Sequence, residues 1–487
     1  MHTMRLLLPA WGLLATCLAL PQDPSAAAIR HVRYALGAGN ENPTARSFDL
    51  IDGGYENPWA EYGYLPPPSM DTWYAPPAGW EATAPGTPLK LRSHAYPTIN
   101  IRNCSDTFQV LYRSSDTHGN PSWAVTTVFI PTSHAACDPK NPIATNCSHA
   151  VVSYQVPSDS VWVNAAPSNL LQAREPYGEM RDLLKRGWFV AVPDYEGPQA
   201  AYCAGKQAAY ATLDGAKAVL AVGARFGLQT DRARVGLWGY SGGAFATGFA
   251  LEVAKTYAPD LKLAGGVVGG PAPNLTTVAE LMNKKDTAGL MVASIVGVTT
   301  QFPEAREFLT SRLKETGPYN ATGFWLVMNM TGYDALMHYK DHDVYDYFKN
   351  GADDLWHSTI QDVIDRDAVM GLHGTPPSDV PVFIYKAIQD EMSLVKETDD
   401  LVDEYCKGGA TVLYHRNTLG GHNDELWSGR LRTLDFLSHV LEVNNSKTKM
   451  VSGSNMTVPT GGCVTQNVSV PLEVLDLLPD WWLTGVP

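Results

Sequence analysis

The sequence predicts an α/β protein: a mostly parallel sheet flanked by helices, with a helical cap inserted partway along. Three observations carry that prediction. From residue 150 to residue 270, short β-branched runs alternate with longer helical stretches, the pattern of buried parallel strands joined by crossover helices. Between about 271 and 380 the strands stop and helix-prone sequence continues alone, before a strand returns at 381–387. At the centre stands Gly239-Tyr240-Ser241-Gly242-Gly243, with a strand-like run (234–238) before it and a helical run from Ala244 after it.

In chain order, residues 1–20 read as a secretory leader. Arg5 gives a weak basic start, 6–20 form a short apolar core, and small residues at 17 and 19 have cleavage-site spacing. That core is too short to span a bilayer comfortably. Residues 21–90, rich in Pro, Gly and aromatics, are expected to be an extended N-terminal arm. The α/β core opens over 91–270, with strands expected at 96–102, 107–114, 122–130, 150–155, 188–193 and 264–270. Its helices are expected at 170–186, 207–226 and 242–256. The cap, 271–380, is expected to be helical at 278–285, 286–300, 303–316 and 358–370. The α/β core resumes over 381–443 with a strand, a helix at 397–407, a last strand at 411–415 and a helix at 428–443. The polar tail, 444–487, is a candidate flap, and its Trp481-Trp482 pair is a candidate lipid contact.

Composition narrows the function. A formal charge of −14 argues against nucleic-acid and anionic-membrane partners. The expected partner is a small molecule or a lipid, with a lipid interface touched transiently, and the expected state is a monomer. Of seven cysteines one lies in the leader, leaving Cys104, Cys137, Cys147, Cys203, Cys406 and Cys463 as disulfide candidates. Cys137 and Cys147, close in sequence, are expected to pair. Sequons at Asn103, Asn146, Asn274, Asn320, Asn329, Asn444, Asn455 and Asn467 are candidate glycosylation sites. His338 and His342, with Asp341 and Asp343, have helical metal spacing but read as an acidic solvated face. No metal and no cofactor are expected.

The pentapeptide in its strand–turn–helix setting is a nucleophile elbow. Ser241 would sit in a strained turn, which Gly239 and Gly243 permit by lacking Cβ atoms. Gly242 would open the next helix with its N–H facing a developing oxyanion. A serine needs a base, and the base a carboxylate to fix its tautomer. With the order Ser, acid, His found in α/β-hydrolases, Asp390, just past the 381–387 strand, is the candidate acid. His422, in Leu419-Gly420-Gly421-His422 after the last strand, is the candidate base. Glu391 and Asp399 remain alternative acids, and His415 an alternative base. Asp194-Tyr195-Glu196-Gly197 ends the 188–193 strand, so the Asp194 N–H is the candidate second oxyanion donor. Ser158-Asp159-Ser160 reads as a turn.

Gly239–Ala244, Tyr257-Ala258-Pro259-Asp260-Leu261-Lys262, Asp194–Gly197, Asp390-Glu391 and Tyr74-Ala75-Pro76-Pro77-Ala78-Gly79-Trp80-Glu81 together resemble the fungal secretory lipase family. The resemblance implies an α/β-hydrolase core with a cap before the acid, a Ser241–Asp390–His422 triad, and Asp194 and Gly242 N–H groups as oxyanion donors. It further implies cofactor-free hydrolysis of acylglycerols or other carboxylic esters, with deacetylation of trichothecene-like metabolites as the alternative. A catalytically silent binding protein on the same fold, and a serine peptidase, are further alternatives. Within the cap, residues 290–298 are a candidate wall for an acyl chain, through Ile295 and Val298, with packing of the cap's own core as the alternative.

Overall fold

The computed structural model describes residues 65–94, 101–133, 148–172, 178–442 and 456–472. The leader, most of the arm, Cys137, Cys147, Asn146, Asn444, Asn455 and Trp481-Trp482 lie outside them.

Among the described residues one ten-stranded sheet organises the fold, in the order β1-β2-β3-β5-β4-β6-β7-β8-β9-β10. β1 (Pro88–Ser93), β2 (Cys104–Ser115) and β3 (Pro121–Pro131) are antiparallel to one another, and β3 is antiparallel to β5 (Phe189–Pro193). From β5 onward every pairing is parallel, through β4 (Ala150–Gln155), β6 (Arg234–Tyr240), β7 (Leu263–Gly269), β8 (Val382–Ala387), β9 (Val412–Asn417) and β10 (Cys463–Val468). The central strands are buried along nearly their whole length, which explains why they read as continuous β-branched and aromatic runs without alternation.

Helices cover both faces. α1 (Gly178–Lys185) and α10 (His422–Leu441) bury Met180, Leu183, Leu434 and Leu437 on one side. α2 (Gly205–Gly223), α3 (Gly242–Tyr257) and α9 (Val395–Lys407) cover the other. Between β7 and β8 the cap folds from α4 (Leu275–Met282), α5 (Ala288–Thr299), α6 (Pro303–Arg312), α7 (Gly332–His338) and α8 (Ser358–Asp367). All twelve residues of α5 are buried, as expected of a helix apolar on every side. Its glycines allow close approach: a Cβ at Gly289 would stand 2.1 Å from the Ala335 carbonyl, and one at Gly297 2.2 Å from that of Tyr202. The cap's central helix is thereby seated directly over the elbow's neighbours.

Several expectations need correction. The arm's last residues, 88–90, open an edge strand, β1, which pairs with β2; of the strand expected at 96–102 the described residues, 101–102, are turn, and β2 begins at Cys104, before the expected 107. The last strand is not β9. The tail adds β10, parallel to β9, so its described residues, 456–472, extend the sheet edge. Cys406 and Cys463 are bonded across 57 positions, whereas Cys104 and Cys203 are free thiols. Cys104 begins an edge-proximal strand with its thiol turned to the Asp106 carbonyl, and Cys203 is buried beside the elbow. Among the described sequons, Asn274 and Asn320 use their side-chain oxygens to cap helices. Asn103 lies in a left-handed turn with its amide toward Arg181, while Asn329 and Asn467 are exposed.

Candidate active site

β6 ends at the C-terminal edge of the sheet and α3 begins one residue later, leaving Ser241 alone in the turn. Its φ of 55° and ψ of −119° are a strained conformation for a non-glycine residue. The flanking glycines are required sterically. A Cβ at Gly239 would meet the Gly243 carbonyl oxygen at 2.0 Å, and one at Gly243 the Gln155 carbonyl oxygen at 1.8 Å. The strain presents the hydroxyl to His422, whose Nε2 lies 2.9 Å from Ser241 Oγ.

His422 is the first residue of α10, not a loop residue. Two anchors fix its backbone: its N–H donates to Glu391 Oε2 at 2.9 Å, and its carbonyl accepts the Tyr240 hydroxyl at 2.5 Å. Its Nδ1 lies 2.7 Å from Asp390 Oδ2. Asp390 is itself held on every side. The Met392 and Ser393 N–H groups donate to Oδ1 at 2.8 and 3.0 Å, and the buried Lys386 ammonium stands 2.9 Å from Oδ2. Burial alone would raise this carboxyl, but His422 and Lys386 outweigh it and hold Asp390 well below the usual carboxylate range. Burial likewise lowers the Lys386 ammonium, with Asp390 opposing.

The other candidates have other partners. Glu391 takes the His422 N–H; Asp399 pairs with Arg416 and the Tyr414 hydroxyl. His415 is buried on β9 against Arg432, and burial lowers it to about 4. His342 faces the Tyr347 hydroxyl, and Asp343 pairs with Lys284 and caps a short helix.

Asp194 requires a correction as oxyanion donor. Its N–H is already given to the Val125 carbonyl across the β5–β3 pairing, at 2.8 Å. Its carboxyl points away to Ser168, at 2.8 Å from the N–H and 2.6 Å from the hydroxyl, and burial raises it to about 7. Asp159, read from sequence as a turn residue, occupies the place next to the elbow instead. It has a left-handed φ of 50°, and its Oδ1 would lie 2.1 Å from a Cβ on Gly242. Oδ1 is buried without a hydrogen-bond partner. Burial raises this carboxyl to about 6 against the opposing Tyr202 hydroxyl and His422. The one sequence signal available was its position directly after β4, beside the elbow strand. Sequence reasoning also missed Lys386, although a lysine inside an apolar strand, four residues before the acid, is a visible anomaly.

From Ser241 and His422 a narrow apolar cleft runs under the cap, with a volume of about 40 Å³. Phe245, Leu275, Val278, Met282, Leu290 and Met392 form its walls. The α5 residues that reach it are Leu290 and Ser294, one turn apart. Ile295 and Val298, the candidate wall, are not among its lining and pack into the cap's own core.

Parallel sheet, strained serine turn at its C-terminal edge and cap before the late strands together define an α/β-hydrolase. A model of the Secretory lipase family matches residues 177–448. The chain is 37% identical to the trichothecene C-3 esterase of Fusarium sporotrichioides, over 85% of this chain and 94% of that one. It is 36% identical to lipase A of Arthroderma benhamiae, over 73% and 76%. Among solved structures it is similar to Candida antarctica lipase A, with a TM-score of 0.67 at 22% identity, covering 87% of this chain and 94% of that one. The chain belongs to the secretory lipase family and is an ester hydrolase. Among the described residues no helix is long and apolar enough to cross a membrane.

Proposed function

We propose that the protein is a secreted serine hydrolase of lipophilic carboxylic esters, most specifically acylglycerols, acting through an acyl-enzyme on Ser241. The observation that carries this reading is the continuous chain Ser241 Oγ–His422–Asp390, at 2.9 and 2.7 Å, opening onto an apolar cleft. With Nδ1–H donated to Asp390, the His422 Nε2 accepts the serine proton as Oγ attacks the acyl carbonyl. The Gly242 N–H, first of α3 and without an intrahelical acceptor, faces the developing oxyanion. We assign the second donor to the backbone N–H of Asp159 in place of that of Asp194. The imidazolium then protonates the departing alcohol, and a water activated by the same imidazole releases the acid. Residues 1–20 and the family's secretory character support export.

A second reading has its own support: relatives at 37% and 35% identity are named a trichothecene C-3 esterase and a probable trichothecene esterase. On it the acyl group is acetate and the cleft receives a sesquiterpenoid alcohol. The deciding experiment gives purified protein emulsified trioctanoylglycerol, nitrophenyl acetate and octanoate, and an acetylated trichothecene. Octanoate preferred over acetate supports the acylglycerol reading, and the reverse, with trichothecene turnover, replaces it. Ser241→Ala should lower every activity on the order of 10⁶-fold. Undiminished hydrolysis by folded Ser241→Ala would sink both.

A further inference from the structure

The C-terminal segment converges on one side chain. β10 runs parallel to β9 from Cys463 opposite Val412 to Val468 opposite Asn417, and its start is joined to α9 by the Cys406–Cys463 disulfide. Just past β10, the Val470 N–H donates to Asn417 Oδ1 at 3.0 Å, and Asn417 Nδ2 donates to the Val470 carbonyl at 2.9 Å. The fully buried Asn417 amide therefore reads the tail backbone as a strand partner would. The next residue adds to the clamp. The Thr418 N–H donates to the Val468 carbonyl at 2.8 Å, and its hydroxyl lies 2.7 Å from that of Ser469.

The same residue holds the two loops that carry the acid and the base. The Asn417 carbonyl accepts the Ile388 N–H at 2.8 Å, two residues before Asp390. Its Oδ1 also accepts the Leu419 N–H at 3.3 Å, three residues before His422. Its Nδ2 donates to Glu425 Oε2 at 2.6 Å, three residues beyond His422 on α10. Glu425 is buried and fixed in turn by Ser428 at 2.8 Å and Arg432 at 2.7 Å. Acid loop, histidine loop, histidine helix and tail thus meet at one amide.

We propose that Asn417 is a positioning residue, through which the docked C-terminal segment 463–470 holds the Asp390 and His422 loops in register with Ser241. The inference rests on the Ser241–His422–Asp390 triad. A displacement of about 1 Å in such a group costs on the order of 10²-fold in rate, whereas substrate affinity is set by the apolar cleft, whose lining among the described residues includes none of the tail. Losing the clamp should therefore act on kcat and leave KM alone.

The test compares Val470→Pro, Val470→Ala and Asn417→Ala with wild type on nitrophenyl butyrate. Labelling of Ser241 by a fluorophosphonate and circular dichroism are followed in parallel. Val470→Pro removes the tail N–H and fixes φ, on a partly exposed residue, whereas Val470→Ala keeps the N–H. The expected result is a fall in kcat of about tenfold or more for Val470→Pro and Asn417→Ala, with KM within about twofold. The labelling rate should fall in step, and Val470→Ala should match wild type. If Asn417→Ala does not fold, the contrast between the two Val470 variants decides. An active wild type with unchanged kcat for folded Val470→Pro overturns this inference alone, even if that variant melts earlier. A wild type that neither hydrolyses esters nor takes the label overturns the triad and this inference together.

Discussion

A carboxylate at Asp390's depth would ordinarily be neutral; here two backbone N–H groups, an ammonium and an imidazole keep it charged. Asp390→Asn should lower kcat by on the order of 10⁴-fold, because the amide fixes the wrong imidazole tautomer. Asp399→Asn, whose partners are Arg416 and Tyr414, should leave kcat near wild type; steady-state kinetics on one nitrophenyl ester checks both. Asp159→Pro, which removes the N–H, should cost about 10²- to 10³-fold or more in kcat, while Asp194→Asn keeps its N–H and should change turnover little. Undiminished kcat for folded Asp159→Pro would take its N–H out of that role. At this scale the convergence of Ser241, His422 and Asp390 was legible because chain order and strand context constrain it strongly. The engagement of the Asp194 N–H was not. Whether the Asp194 N–H is free depends on the β5–β3 register, a long-range pairing that local sequence does not encode.

Elements with a strong internal pattern were legible as well. β4, β6 and β8 lie within a residue or so of their expected bounds, since buried apolar runs bounded by turns admit few other structures. The edges were not. β1 and β10 are short strands in polar or Pro-rich sequence, exposed enough that no apolar pattern betrays them. Helix α5 was expected, but which of its faces meets the cleft was not, because a helix buried on all sides has no polar stripe to orient it. The structure turns Leu290 and Ser294 toward the cleft. Filling it with Leu290→Trp or Ser294→Trp should shift the preferred ester toward shorter acyl chains and spare acetate. Each methylene lost from the pocket forfeits about 0.8 kcal/mol, roughly fourfold in kcat/KM. Ile295→Trp should instead damage the cap's core and lower the thermal midpoint. A nitrophenyl ester series from acetate to laurate reads the first effect; an unshifted profile for folded Ser294→Trp would remove α5 from the acyl path.

Over the whole molecule, the unusual feature is the number of carboxyls buried without full compensation. Burial raises Asp159, Asp214 and Asp367 to about 6, raises Glu179, Asp194 and Glu252 to about 7, and raises Glu196 well above its ordinary value. Each binds its proton more tightly folded than unfolded. Its contribution to stability is therefore complete below about pH 4 and lost as pH rises through the folded value. Buried histidines have the opposite sign. His94, lowered to about 3, and His373 and His415, lowered to about 4, shed protons on folding, so stability rises with pH until about 6.5, where the unfolded imidazoles are neutral too. Asp390, held low, contributes stability that is lost only below about pH 4. Between about pH 4 and 6.5 the carboxyls and histidines oppose each other. Above that the histidines are silent, while Glu179, Asp194, Glu252 and Glu196 still have protons to lose. Their ionisation also adds to a chain already at −14. Seven raised carboxyls outweigh three lowered histidines, so the thermal midpoint, measured at fixed ionic strength, should already fall from about pH 4 to 6.5 and go on falling towards about pH 8. Glu252→Gln should make that fall shallower. It removes one titrating group while keeping an oxygen for the Gly371 N–H and Tyr405 hydroxyl that Glu252 Oε1 now accepts. A midpoint that climbs between pH 6.5 and 8 would mean that these carboxyls are ionised in the folded protein, with partners strong enough to offset their burial.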